Sequence, residues 1–167
     1  MFESERLYFR GINETDTDCL VAWRSNPEII RYFRQPRPIT KETHERWYKN
    51  VYSQSSDRFD FIITEKKTKK AIGTVGVSHI DHRHSSCEIS YMIAERDYQR
   101  RGYAVEAITA IMQEMIAEHI CCFFAEVHKE NLASRRTIEK LKYTYYSEQQ
   151  SFITYSRQEK MDVSDTR

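Results

Sequence analysis

Gly102 follows two arginines in the run Gln99-Arg100-Arg101-Gly102-Tyr103-Ala104, and an apolar stretch with helical spacing comes after it. The start of a helix presents unpaired backbone N–H groups and a partial positive charge. A glycine at that point lets a ligand approach the backbone, and Arg100 and Arg101 add charge beside it. Together these features suit a phosphate, above all a pyrophosphate. Read alone, the same residues also fit a turn glycine between exposed arginines. A second group, His79, Asp81, His82 and His84, has the residue types that bind zinc. That run lies between two predicted strands, where alternate residues face opposite ways, so it reads as a solvated turn with no metal expected. Cys19, Cys87, Cys121 and Cys122 show no C-x-x-C spacing and read as reduced thiols of a cytoplasmic protein.

The composition narrows the function classes. Of 167 residues, 31% are charged, 40% hydrophobic and 13% aromatic, a profile of a folded globular chain. The formal net charge is +1, so no global field draws nucleic acid or an anionic membrane, and any polyanion site must be local. No apolar run reaches membrane-spanning length, and MFESERLYFR lacks the apolar core expected of a signal peptide. The expectation is one domain over 1–158 with a polar tail over 159–167, as a monomer or homodimer in the cytoplasm.

Positioning the glycine loop needs a strand before it and a helix after it. Residues 5–10 alternate as a first strand, and Asn13 to Trp23 carries helix signals. Pro27 opens a short helix in PEIIRYF, QPRP breaks it, and Thr40 caps a third helix, KETHERWYKNVY. The period then changes. RFDFIITE and AIGTVGVSHI read as a hairpin about KKTKK, and CEISYMIAE (87–95) as the next strand. From 102, Val105, Ile108, Ile111, Met112, Met115 and Ile116 form a helical stripe. CCFFAEVH (121–128) is a buried strand, 131–141 a short helix, and YTYYSEQ with SFITYSR a closing strand pair. This order predicts an α/β (α+β) fold with a mostly antiparallel sheet of about seven strands.

The stretch YQRRGYAVEA (98–107) resembles the acyl-CoA loop of the GNAT family of N-acetyltransferases, Gln/Arg-x-x-Gly-x-Gly/Ala, through Gln99, Gly102 and Ala104. ENLASRRTIEKLKY (130–143) resembles the second block of that family's RimJ/RimL-like branch, and VAWRSNPEIIRYF its N-terminal helical region. The resemblance runs from about residue 3 to 157. Two departures stand out: Lys142 where many members carry glycine, and Ile138 where many carry a tyrosine that serves as general acid.

The resemblance implies a sheet flanked by helices and splayed between its fourth and fifth strands, with acetyl-CoA as acyl donor in the gap. Its pantetheine would pair with backbone at Met92 and Ile93. Its pyrophosphate would take N–H groups from the loop through Arg100, Arg101, Gly102, Tyr103, Ala104 and Val105. Asn131 suits a pantetheine amide and also fits a helix N-cap. Arg135 and Arg136 would meet the ribose phosphate, or else form a solvated helix face. The reaction implied is acetyl transfer to a primary amine by direct attack in a ternary complex. An α-amine titrates near ~8 and a lysine near ~10.4, so a base helps either. Glu88 aligns with a catalytic glutamate of some members, with Glu148 in reserve. Ser134 would protonate the thiolate, or serve only as a small packing residue, with Tyr143 as a further acid.

The acceptor stays open between a protein N-terminus, an amino sugar or another small amine. The basic mix of RYFRQPR favours an acceptor bearing phosphate or carboxylate over a polycation. A non-catalytic acyl-CoA sensor is the alternative function. It would keep the 99–104 loop and dispense with Glu88 and Ser134.

Overall fold

The structure, a computed structural model, describes residues 1–160 and holds one eight-stranded sheet. Strands β1 (Phe2–Glu3), β2 (Leu7–Gly11), β3 (Phe59–Glu65), β4 (Ala71–Asp81) and β5 (Ser86–Ile93) form an antiparallel run. Strand β6 (Cys122–His128) lies parallel to β5. Strands β7 (Thr144–Gln149) and β8 (Phe152–Gln158) close the sheet, with β8 inserted between β6 and β7. The mixed, mostly antiparallel sheet is the one the sequence predicts. It has one strand more than the expected seven: Phe2 stacks on Phe9, ring centroids 4.5 Å apart, and draws β1 onto β2. The tail expected over 159–167 lies, from residue 161, outside the described residues.

Helices cover both faces. α1 (Thr17–Arg24), α2 (Pro27–Ile30) and α3 (Lys41–Asn50) lie on one. Leu20, Trp23 and Ile62 are buried there, and Trp47 and Tyr48 pack against them. Asn26 caps α2 ahead of Pro27, and Thr40 caps α3 through the Thr43 N–H. The second helix stops at Ile30, short of the apolar residues at 32 and 33 that its sequence suggested. α4 (Tyr103–Ala117) and α5 (Leu132–Lys140) cover the other face. Ala107, Ile108, Ile111, Met112 and Met115, spaced three and four apart, are buried against the sheet. Val105 and Ile116, at the margins of that stripe, are only partly buried.

Parallel strands need a crossover, and α4 supplies the one between β5 and β6. Those strands pair only at Ser86–Cys122, Cys87–Phe123 and Glu88–Phe124. Beyond Glu88 they part, leaving the far half of β5 bonded to β4 alone, as the splay between the fourth and fifth expected strands requires. Gly73 on β4 makes the close approach there possible. A Cβ at Gly73 would lie 1.9 Å from the Met92 carbonyl oxygen and 3.0 Å from the Ile93 Cα, both backbone atoms that cannot swing aside. Gly73→Ala is therefore expected to destabilise the protein by about 2 kcal/mol in urea unfolding, the cost of overpacking. It should also shift the Met92 and Ile93 amide resonances.

Candidate active site

The loop after β5 is tied down before the helix begins. The Ala94 N–H donates to the Ile72 carbonyl at 2.8 Å, and the Gln99 side-chain amide donates to the Ile93 carbonyl at 2.9 Å. Gln99 thus holds the loop against the end of the strand. Arg100 and Gly102 both have positive φ, 60° and 82°. Gly102 is the N-cap of α4 and offers no side-chain cap to its first turn, so the leading N–H groups stay open. A Cβ at Gly102 would come no nearer than 3.5 Å, to the Arg6 guanidinium. Conformation, not crowding by a protein neighbour, makes the glycine necessary.

Glu106, in the first turn of α4, clamps this corner to the N-terminal segment. Its carboxylate accepts from the Ser4 hydroxyl at 2.7 Å, the Arg6 backbone N–H at 2.7 Å and the Arg6 Nε at 2.6 Å. Arg6 also stacks over Tyr103, 4.2 Å from the ring centroid, and donates to the Arg101 carbonyl. Burial pushes the Glu106 carboxyl up, but the bonds from Ser4 and Arg6 outweigh it and leave it below the ordinary glutamate range.

Two clefts open around the splay. The first, about 800 Å³, runs between the 98–105 loop and the start of α5. The second, about 450 Å³, lies on the face of α1 and α3. Tyr32, Phe33, Tyr91 and Met92 line both. Where they meet, the Tyr91 hydroxyl lies 2.7 Å from the Ser134 Oγ. Burial raises the Tyr91 phenol above its usual range, with bonds to Ser134 and Thr137 opposing, so it stays protonated at neutral pH.

Residues 6–144 match the family model described as an acetyltransferase (GNAT) domain. The chain belongs to the GNAT family of acetyltransferases. It is 28% identical over 145 residues to the uncharacterized N-acetyltransferase YoaA of Bacillus subtilis, covering 84% of this chain and 81% of that one. It is 33% identical over 96 residues to the uncharacterized protein MJ1062 of Methanocaldococcus jannaschii, 56% of this chain but 19% of that protein. The chain therefore spans under a fifth of that relative's length in the match. Among solved structures, a domain from Methanocaldococcus jannaschii shares the fold with a TM-score of 0.82 at 22% identity, over 92% of this chain and 98% of that one. The spermidine N-acetyltransferase of Vibrio cholerae, in complex with CoA and spermine, has a TM-score of 0.79 at 18% identity, over 92% and 94%. RimL, a ribosomal alpha-N-protein acetyltransferase in complex with coenzyme A, has 0.80 at 16%, over 95% and 97%.

Within this GNAT framework the residues singled out from sequence fall into two sets. Met92, Ile93, Gln99, Arg100 and Gly102 line the first cleft, as do Tyr103, Ala104 and Val105 from the helix start. Asn131 and Ser134 line its opposite wall. Asn131 caps α5 by accepting from the Ser134 N–H at 3.1 Å, and its amide nitrogen has no protein partner among the described residues. The others lie elsewhere. Arg101 turns out of the cleft lining while its carbonyl takes Arg6. Arg135 reaches back to the Tyr155 hydroxyl and the Lys129 carbonyl, and Arg136 lines the cleft instead. Glu88 faces His79, Oε2 to Nδ1 3.4 Å, and lines neither cleft. Glu148 pairs with Lys129 on exposed β7. Tyr143 is buried with its hydroxyl against the Met112 sulfur and lines neither cleft. His84 bonds Asp81 while His79 faces Glu88, so the histidine run divides between separate partners.

Several lining residues escaped the sequence reading. Tyr91 lies within the strand CEISYMIAE and lines both clefts. Glu126 is the acid within CCFFAEVH, and that isolated charge in an apolar strand was the available signal. It lines the second cleft, bound by the Arg34 Nε at 2.7 Å.

The clamp and the glycine give two tests. Because folding holds the Glu106 carboxyl low, its contribution is present above the ordinary glutamate pKa and is lost as pH falls through the folded value. The Tm gap between wild type and Glu106→Gln should therefore narrow on acidification, read by calorimetry across pH. Gly102→Val should cost about 2 kcal/mol through left-handed strain, while Gly102→Asn, which tolerates that region, retains most of the stability in urea titration.

Proposed function

We propose that the protein transfers an acetyl group from acetyl-CoA to a primary amine, on a protein N-terminus or a small molecule such as an amino sugar, by direct attack in a ternary complex. The observation that carries this reading is the junction of the two clefts at Tyr91 and Met92, where strands β5 and β6 part. One cleft suits the donor and the other the acceptor, and their contents would meet at mid-strand.

The first cleft's donors fit the donor molecule. The uncapped first turn of α4 offers backbone N–H groups, and Arg100 and Arg136 add charge for phosphates. The unbonded amide of Asn131 suits a pantetheine carbonyl. Backbone at Met92 and Ile93, on an edge that no strand covers, suits an extended amide chain and can offer an N–H to a carbonyl oxygen that gains charge. Bound acetyl-CoA supplies a thioester carbon open to attack by a neutral amine. Ser134 holds a proton for the departing thiolate, and Tyr91, kept protonated and 2.7 Å away, can replace it. Glu126, rather than Glu88, lies where it can take the amine's proton, directly or through a water. Its bond to Arg34 keeps it oriented.

The decisive experiment incubates the protein with acetyl-CoA and a panel of amines: peptides with varied N-termini, polyamines, amino sugars and aminoglycosides. Mass spectrometry reads acetylated product directly. Product on one class establishes the transferase and names its acceptor. Acetyl-CoA binding with no product on any amine would favour the sensor function. With an acceptor in hand, Glu126→Gln and Ser134→Ala should each lower kcat by about 10²-fold, the usual worth of a positioned acid or base. Glu88→Gln should leave turnover near wild type, and a large loss there would return the base role to Glu88.

A further inference from the structure

Three arginines line the second cleft, and two are already matched. Arg34 is bonded to Glu126, and the Arg58 Nε donates to Asp60 Oδ2 at 2.6 Å. Arg24 has no hydrogen-bond or carboxylate partner among the described residues. The Phe33 ring lies 5.4 Å from its Cζ. Arg24 is exposed in that cleft, and the charged groups nearest it are Arg58 and Asp60, which is itself bonded to Arg58.

His44 lines the same cleft and carries an unmet requirement. It is 4% exposed, and its Nε2 is buried without a hydrogen-bond partner. Burial, then the charge on Arg24, lower its pKa, so the ring is neutral and can present one N–H as a donor. An unpaired buried polar group has lost its water without gaining a partner, which destabilises the protein. An anion in this cleft would give the open Arg24 guanidinium the oxygens it lacks, and the His44 ring, which lines the cleft with its Nε2 closed to solvent, would meet that anion by turning. A polycation would instead meet Arg24 as a like charge.

We propose that the amine acceptor carries an anionic group, a carboxylate or a phosphate, which Arg24 and His44 bind in the second cleft. Trp47 and Phe33, which line the same cleft, give the body of that acceptor an aromatic wall. Glu126 remains at the other end for the amine. The inference rests on the second cleft being the acceptor side of the transferase reading.

The test needs neither acetyl-CoA nor turnover. Isotope-labelled protein is titrated by NMR with inorganic phosphate, with succinate and with spermidine. Phosphate or succinate should give saturable shifts at Arg24, His44 and Trp47, and the tighter of the two identifies the group. Arg24→Gln should weaken that binding at least about tenfold, the loss of one charge-assisted bond. Arg24→Lys should restore part of it and serves if the glutamine variant folds poorly. His84→Asn, outside both clefts, should leave it unchanged. No saturable shift at the second cleft with either anion, equal affinity in Arg24→Gln, or spermidine binding there more tightly than both anions would overturn the proposal. Anion binding through Arg24 without acetylation of any amine would leave this pocket standing and overturn the transferase reading alone. Acetylation of neutral amines as efficient as that of their anionic counterparts would do the reverse.

Discussion

A parallel pairing that ends after three residue pairs governs this molecule. Had β5 and β6 stayed zipped, every backbone group of β5 would have a partner and the sheet would be continuous. Because they part beyond Glu88 and Phe124, the far half of β5 is an edge strand inside the sheet. Unpaired edges attract extended chains, and proteins ordinarily cover or blunt them. Here the edge is sheltered by α4, α5 and the glycine loop, so it faces a cleft instead of bulk water. The same opening lets Tyr91 and Met92 be reached from both faces of the sheet.

The splay would be of little use without anchors on each side. Glu95, just past β5, accepts from the Trp23 indole at 3.1 Å and from Lys70 at 2.6 Å, which fixes α1 and the β3–β4 turn to the end of the strand. On the other side Glu106 fixes the start of α4. Lys70 comes first in holding the Glu95 carboxyl below its ordinary range, with Trp23 next. Both acids sit on either side of the loop that holds Gly102, and each bonds a residue from a distant element.

Local patterns made much of this readable in the sequence. The α4 stripe, the Thr40 and Asn131 caps, Pro27 at a helix start and the strand alternation are decided by neighbours within a few residues, and those elements appear where their patterns put them. Gly102 was found from its position before a helix, although its left-handed conformation is the local reason for it. Helix phase was harder. Arg135 and Arg136 are adjacent in sequence and about 100° apart around α5, so which one meets the cleft depends on how that helix sits on β6 and β8. Glu88 and Glu126 show the same limit. They share one face of neighbouring strands, and only the register of the parallel pair tells which lies at the opening. Arg24 and His44 were out of reach, because what marks them is the absence of partners, and partners come from tertiary structure.

The Glu106 clamp joins residues one hundred positions apart in the chain. Contacts of such separation bring a closure entropy that local helix formation does not. The loop that carries Gly102 is held locally by Gln99, but its junction with α4 is clamped only where the N-terminal segment meets Glu106. During synthesis that segment waits through three helices and four strands for its partner to emerge. The corner of the site thus rests on one of the longest-range contacts in the fold, and loosening Ser4 or Arg6 would reach it from far away in sequence.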